Sequence, residues 1–279
     1  MENNSFAGRI LKGIGGRLSK LSHNPWREVG VGLLTHKIYK HLPVGKLRTH
    51  LLFGKKFYFY SPAELLHGLQ EIFIDNLYKQ ELPGHPYIID CGANVGLSVI
   101  YMKQLYPDAE IVAFEPDERN FELLTRNVES FGLSDVTLRK EAVWKENTMI
   151  KFSGEGTTNS KIDNNANILS RDVKAIRLKD LLDRRIDFLK IDIEGAEYDV
   201  VKDLEENLHY VNNLFIEYHG SFEKNNELSE LLTFIVRNGF RFYIKEAAIS
   251  YETPFYRRQK GQIPYDIQLN VFCFRLEKK

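Results

Sequence analysis

Five acids and a histidine stand where apolar runs give way to turns. They are Asp90 in "YIID", Glu115 in "EIVAFE", Asp192 and Glu194 in "FLKIDIE", and Glu217 and His219 in "LFIEYH". Short apolar runs of this kind read as buried strands, so each polar group lies at or near a strand tip. Carboxylates and an imidazole gathered there could bind an ammonium group, accept hydrogen bonds from paired hydroxyls, or take a proton from a nucleophile.

The first of these tips continues as Asp90-x-Gly92-x-Asn94-x-Gly96. Glycines let backbone approach a ligand closely, and the predicted helix that follows offers its N-terminus. The spacing is not that of a phosphate loop, G-x-x-x-x-G-K-[ST]. It also fails the dinucleotide pattern G-x-G-x-x-G, because Asn94 and Leu97 occupy its second and third glycine positions, which disfavours a dehydrogenase. A carboxylate at Asp90 suits a ligand that carries an ammonium. Glu115, nineteen residues past Gly96, ends the next strand, where a carboxylate can accept from both hydroxyls of a ribose. An amino-acid ammonium at one end and an adenosine ribose at the other describe S-adenosylmethionine. The plain structural alternative is a tight turn with a capping aspartate and a surface glutamate.

The stretch Asp90–Gly96, followed by "FEPDERNFELLTRN" and "LKIDIEGAE", resembles the FkbM family of class I S-adenosylmethionine-dependent methyltransferases. The likeness runs from Ser61 to Phe274. It implies cofactor contacts at Asp90, Gly92, Asn94, Gly96 and Glu115. Asn120 matches an asparagine of the family pattern, with an exposed polar position in the first helical turn as its other reading. Ala142 and Val143, at the end of the third strand, take the place where such enzymes line the adenine pocket. The family generally methylates hydroxyls of sugars, glycans or secondary metabolites.

Methyl transfer from a sulfonium to an alcohol needs an aligned oxygen, excluded water and a home for the proton. Asp192 faces the cofactor at its strand tip and is expected to meet the acceptor. His219 could be the general base, its ordinary pKa being ~6.5; a structural histidine is the other reading. Glu194 and Glu217 complete the catalytic candidates, Glu194 being either part of the site or a complement to the dipole of the next helix. Glu197, one turn into that helix, is expected to serve only the dipole. These side chains could also hold Mg²⁺ or a similar ion, but a metal-free reaction is the expectation. Two loops are expected to shape the acceptor pocket: Gly154–Asn165, rich in small polar residues, and Ser250–Asp266. The latter combines Tyr251, Phe255 and Tyr256 with Arg257, Arg258 and Lys260. Aromatic faces stack on sugar rings and arginines pair with phosphate or carboxylate.

The elements that would position these groups alternate. Strands are predicted at Tyr87–Asp90, "EIVAFEP", "VTLRKEAV", "IDFLKID" and "LFIEYH", with helices at 97–106, 117–131, 178–184, 196–208 and 228–238. "FRFYI" and "QLNVFCF" close the chain without a helix between them. This predicts an α/β fold, a mostly parallel sheet with an antiparallel C-terminal edge pair and helices on both faces, and the resemblance implies that it is the Rossmann-like sheet of a class I methyltransferase. Ligands bind such sheets at the carboxyl ends of the strands, where the strand order reverses. Ahead of it, residues 1–60 read as a basic extension with a short hairpin in "LLFGKKFYFY", and residues 61–279 as the methyltransferase domain.

Composition narrows the class. About 43% of the 279 residues are apolar, enough for a large core. No apolar run reaches the ~20 residues needed to cross a bilayer, and the N-terminus lacks a secretory apolar segment. Cys91 and Cys273 read as buried, reduced thiols. The zero net charge hides an asymmetry: residues 1–56 carry eleven Lys and Arg against Glu2 and Glu28, or +9, leaving −9 on the rest. Phe6, Ile10, Ile14, Leu18 and Leu21 recur at helical spacing among basic residues. They outline a helix suited to an anionic membrane, although Gly8, Gly13, Gly15 and Gly16 weaken it. The location expected is the cytoplasm, with peripheral contact at the inner membrane surface open; oligomeric state is unspecified. Nucleic acid is not an expected partner. Methylation of a nitrogen or a non-sugar metabolite, and a catalytically silent partner subunit, are the alternatives.

Overall fold

The computed structural model describes residues 24–153, 161–162, 170–257 and 265–276. The predicted basic helix at 6–21 therefore lies outside the described residues. Two compact units divide the chain, one ending at Leu77 and one beginning at Tyr78.

In the first unit, short helices α1 (Pro25–Glu28) and α2 (Leu33–Tyr39) precede a hairpin of β1 (Arg48–Leu52) and β2 (Lys55–Phe59). Phe53 and Gly54 make its two-residue turn, both at positive φ, which suits the twist of paired strands. Alternation buries Leu52, Phe57 and Phe59 on one side. Ser61 then caps α3 (Pro62–Gly68), accepting from the Glu64 amide at 3.3 Å with Pro62 in the first turn. The helix widens into a π-helical segment, Leu69–Ile74. The chain from Ser61 to Leu77, read above as the start of the methyltransferase domain, lies in the smaller unit.

The second unit is built on seven strands. These are β3 (Tyr87–Cys91), β4 (Glu110–Phe114), β5 (Val136–Arg139), β10 (Ile186–Ile191), β11 (Val211–Gly220), β12 (Arg241–Glu246) and β13 (Ile267–Phe274). Their order is β12-β13-β11-β10-β3-β4-β5. All neighbours are parallel except around β13, which runs antiparallel between β11 and β12. The chain builds outward from β3 through β4 to β5, then returns to place β10 on the other side of β3. The switch point therefore lies between β3 and β10. Helices α4 (Leu97–Leu105), α5 (Glu118–Ser130), α6 (Glu197–Leu204) and α7 (Asn225–Arg237) connect the strands.

Strand alternation sorts the two faces of the sheet. Ile89, Cys91, Leu189, Ile191, Leu214 and Ile216 join one cluster with Val200 and Val201 of α6 and Leu231 and Ile235 of α7. The opposite face carries Asp90, Lys190, Phe215, Glu217 and His219 in register, so the polar groups emerge together near the carboxyl edge. Cys91 and Cys273 are free and buried, and burial holds both thiols well above their ordinary pKa.

"VTLRKEAV" is not the single strand that its apolar spacing predicts. β5 stops at Arg139, and β6 (Ala142–Trp144) joins a second sheet. That sheet has the order β6-β9-β7-β8, with β7 (Thr148–Ser153), β8 (Lys161–Ile162) and β9 (Ser170–Arg177). Charged Lys140 and Glu141 interrupt the apolar run, and Glu141 binds Arg139 and Lys174 across the break. The remaining small apolar groups fill a separate core of Ala142, Ile150, Phe152, Val173 and Ala175. β8 lies inside the segment predicted as the Gly154–Asn165 loop; residues 154–160 and 163–165 lie outside the described ones.

Candidate active site

At the tip of β3 the chain turns back under the tip of β4. Gly92 and Ala93 both donate backbone N–H to the Phe114 carbonyl, at 3.0 and 2.8 Å. Asn94, at φ 47°, donates its amide to Glu115 Oε2 at 2.9 Å, and the Asp117 amide donates to Glu115 Oε1 at 2.8 Å. Glu115 is therefore a buried carboxylate held at both oxygens by backbone. Burial pushes its pKa up to about 8, against those two hydrogen bonds. Asn94 Oδ1 is buried without a hydrogen-bond partner among the described residues, an acceptor of the kind a ligand donor satisfies.

Gly92 has a packing reason as well as a ligand-binding one. A Cβ there would stand 1.8 Å from the Asp192 carbonyl oxygen, and its φ is 88°. The loop after β3 and the tip of β10 thus press together at the switch point, where the Asp192 amide also donates to the Cys91 carbonyl at 3.1 Å. Gly96, at φ 95°, starts α4 where a Cβ would meet Leu124 of α5 at 2.9 Å.

Asp90 is engaged by two side chains of the chain itself. Ser98 Oγ donates to its Oδ2 at 2.5 Å, and Lys190 Nζ pairs with its Oδ1 at 3.2 Å. Lys190 is itself buried and also reaches Asp192 Oδ2 at 3.1 Å and the Gly92 carbonyl at 2.8 Å. Burial alone pulls this ammonium's pKa down. The charges of Asp192 and Asp90 outweigh it and hold the pKa well above the ordinary lysine value. One buried cation therefore joins the tip of β3 to the tip of β10.

The acceptor end centres on His219, whose side chain is 3% exposed. Its Nδ1 meets Glu197 Oε1 at 3.2 Å, and its Nε2 faces Glu194 Oε2 and Glu217 Oε1, both at 3.7 Å. Glu197 does more than complement a helix dipole. It is buried and accepts from the backbone amides of Ile193 (3.1 Å), Gly195 (3.0 Å) and His219 (3.4 Å). Spacing along the chain does not reveal that role, because α6 begins at Glu197 itself, which turns the side chain back beneath the β10 turn rather than outward. Burial lowers the His219 pKa, but the charge and hydrogen bond of Glu197, with Glu194 and Asp192, outweigh it and hold the imidazole at about 10. Burial pushes Glu194 up to about 8 against the pull of His219. Glu194 sits at φ 56°, and its carbonyl accepts from the Tyr265 hydroxyl at 2.7 Å. The Tyr265 ring lies 4.6 Å from the imidazole.

Asn120 is buried, 4% exposed, beneath the Asp117 cap of α5, which excludes the exposed polar position as its role. Ala142 and Val143 are buried on β6, Ala142 in the small sheet's core and Val143 in the main one. Arg171 of β9 donates to Asp117 at 2.6 Å, fastening the small sheet to the N-terminus of α5. In the 250–266 segment Tyr251 stacks on Phe222, at 5.8 Å and 16°, and donates to Asp266. Phe255 and Tyr256 are exposed; Arg258 and Lys260 lie outside the described residues.

A sheet of this order, with a glycine turn at the switch point and carboxylates at the strand ends, is a Rossmann-like α/β arrangement. The sequence profile of the methyltransferase FkbM domain matches residues 90–242, more than half of the chain. The chain belongs to this family and is an enzyme that transfers methyl groups. Methyltransferase sdnD of Sordaria araneosa is 31% identical over 205 residues, covering 58% of this chain and 77% of that protein. Methyltransferase 1 of Beauveria bassiana (strain ARSEF 2860) is 31% identical over 185 residues, covering 56% and 73%. The crystal structure of methyltransferase FkbM from Methylobacillus flagellatus KT aligns at a TM-score of 0.48 and 15% identity. The alignment covers 74% of this chain and 48% of that one, about half its length.

Proposed function

We propose that the protein transfers the methyl group of S-adenosylmethionine to a hydroxyl oxygen of a sugar, glycan or related natural product. The observation that carries this reading is Glu115. It is a buried carboxylate at the tip of β4, fixed at both oxygens by backbone amides and tied to the glycine turn of β3. Remaining lone pairs on its oxygens suit two ribose hydroxyls. The turn at Gly92–Gly96 receives the amino-acid portion, and Asn94 Oδ1 accepts one of its donors. The cofactor supplies an electrophilic methyl on a sulfonium.

The chain's own residues do the rest. Lys190 holds Asp90 and Asp192 in fixed relation, so the donor and acceptor ends keep one spacing, as an in-line displacement requires. The acceptor hydroxyl meets the group formed by Asp192, Glu194, Glu217 and His219; its proton passes to one of their carboxylates as the oxygen–methyl bond forms and the sulfur–methyl bond breaks, leaving a neutral thioether. Tyr265 beside His219 supplies an aromatic face of the kind that sugar rings pack on. Peripheral contact of the basic N-terminus with an anionic membrane surface is part of this proposal; in the first unit α2 exposes Leu33 and Leu34, apolar groups that such a contact would cover.

Calorimetric titration of the purified chain with S-adenosylmethionine, with NAD as control, tests the cofactor. Micromolar binding of the former alone supports the reading, and its absence in a folded chain overturns it. Transfer of labelled methyl to a panel of sugars, amines and non-sugar alcohols then tests the acceptor class.

A further inference from the structure

We infer that Asp192, Glu194 and His219 form a binding site for one divalent cation at the acceptor end of the cleft. One carboxylate oxygen from each acid and one imidazole nitrogen lie within 4.8 Å of one another. His219 lies within β11, while Asp192 and Glu194 follow the end of β10 in the turn before α6, a turn held by Glu197 through the Ile193 and Gly195 amides.

Three features distinguish this cluster from an ordinary acidic patch. The first is His219 Nε2. The imidazole is almost wholly buried, yet the carboxylate oxygens this nitrogen faces, on Glu194 and Glu217, stand at 3.7 Å, beyond hydrogen-bond length. The nitrogen is aimed into the gap between carboxylates without touching either. The second is what happens on the other side of the ring. Glu197 Oε1 meets Nδ1 at 3.2 Å and is itself fixed by the Ile193 and Gly195 amides. A carboxylate that fixes the far nitrogen, and so points the near one outward, is the usual support of a metal-bound histidine. The third is compliance. Asp192 and Glu194 keep 24% and 21% of their side chains exposed, so they can close in to the spacing of about 3 Å between neighbouring ligand atoms in octahedral sites.

The donor set decides the ion class. One imidazole beside two carboxylates suits a first-row divalent transition ion such as Zn²⁺ or Mn²⁺ better than it suits Mg²⁺, which prefers all-oxygen ligands. Lys190, which already pairs with Asp192, prevents that acid from supplying its full charge, so affinity rests on all three ligands together. A cation held there would take the place of the proton on His219 Nε2 and would polarise an acceptor oxygen. This departs from the metal-free reaction expected from sequence. The inference rests on the methyl-transfer reading only for its chemical purpose; the site itself rests on geometry.

The test uses the full chain, stripped with chelator and titrated with Mn²⁺ while the spectrum of free Mn²⁺ is followed by electron paramagnetic resonance. One ion is expected per chain, displaced by Zn²⁺ and more weakly by Mg²⁺. His219→Asn and Glu194→Gln should each weaken binding at least about tenfold, with circular dichroism confirming a folded chain. Glu194→Gln keeps the test decisive where His219→Asn fails to fold. S-Adenosylmethionine binding, measured on the same variants, should be unchanged. No Mn²⁺ or Zn²⁺ uptake at millimolar concentration, or uptake untouched by Glu194→Gln, overturns the site. Cation binding without S-adenosylmethionine binding would sink the proposed function and leave the cation site standing.

Discussion

The two ends of the cleft hold their carboxylates in opposite ways. At the tips of β3 and β4, Glu115 is gripped by backbone amides, and Asp90 by Ser98 and Lys190. At the tips of β10 and β11, Glu194 and Glu217 face the same histidine nitrogen at 3.7 Å, too far for either to bond it. The first end is a finished socket built for one ligand; the second is a set of charges poised for something to complete it. This difference fits the proposed division of the cleft into a methyl-donor end and an acceptor end. Backbone-fixed groups serve an invariant ligand, and adjustable side chains serve a variable one.

Substitution of the residue that joins the ends gives the largest expected effect. Gly92→Ala drives a Cβ into the Asp192 carbonyl and strains a positive φ, costing roughly 3 kcal/mol or more in stability. Thermal unfolding should show it, and an unchanged melting temperature would mean that the two ends are not packed together as described. Next comes Glu197→Ala, which strips a buried acceptor from two turn amides and from His219, costing about 3 kcal/mol. Affinity for S-adenosylmethionine should survive at temperatures where the variant is folded. Loss of both together would erase the distinction between the ends.

Smaller effects sharpen it. Glu115→Ala should weaken S-adenosylmethionine binding by about 10- to 100-fold, read by calorimetry. His219→Ala should leave that binding intact and lower turnover; equal turnover would remove His219 from the chemistry. The smallest effect is on pH. Glu115 has its pKa raised to about 8 by burial, against the backbone hydrogen bonds from Asp117 and Asn94 and the charge of Lys190, with the Asp117 charge adding to the rise. The folded state therefore keeps a proton that the unfolded chain releases near 4.5, so this group's contribution to stability falls as pH rises from there towards 8. Ribose hydroxyls donate to the ionised form, so cofactor affinity should increase with pH and level off above about 8. Glu115→Gln should flatten that dependence.

Much of the first end is legible in the sequence because it is local. Asp90 to Gly96 is one turn, and Glu115 follows after one helix and one strand. The partner of Asp90 is not legible there: Lys190 lies a hundred residues away, and only the pairing of β3 with β10 brings the two together. The break after Arg139 escapes local reading for a related reason. An apolar run shows that residues will be buried but not in which sheet, and Ala142 and Val143 belong to the smaller one.

By itself the sequence determined the alternation of strands and helices, the glycine turn and the acids at the strand tips. These depend on hydrophobic period and backbone freedom, which act over a few residues. The tertiary structure alone decided that Lys190 clamps two aspartates, that Glu197 is a buried support for His219 rather than a helix-end charge, and that His219 Nε2 faces a gap between carboxylates. Those facts depend on distances between segments far apart in the chain and on burial, which sets the strength of each charge. Neither is encoded in the spacing of residues along a single strand.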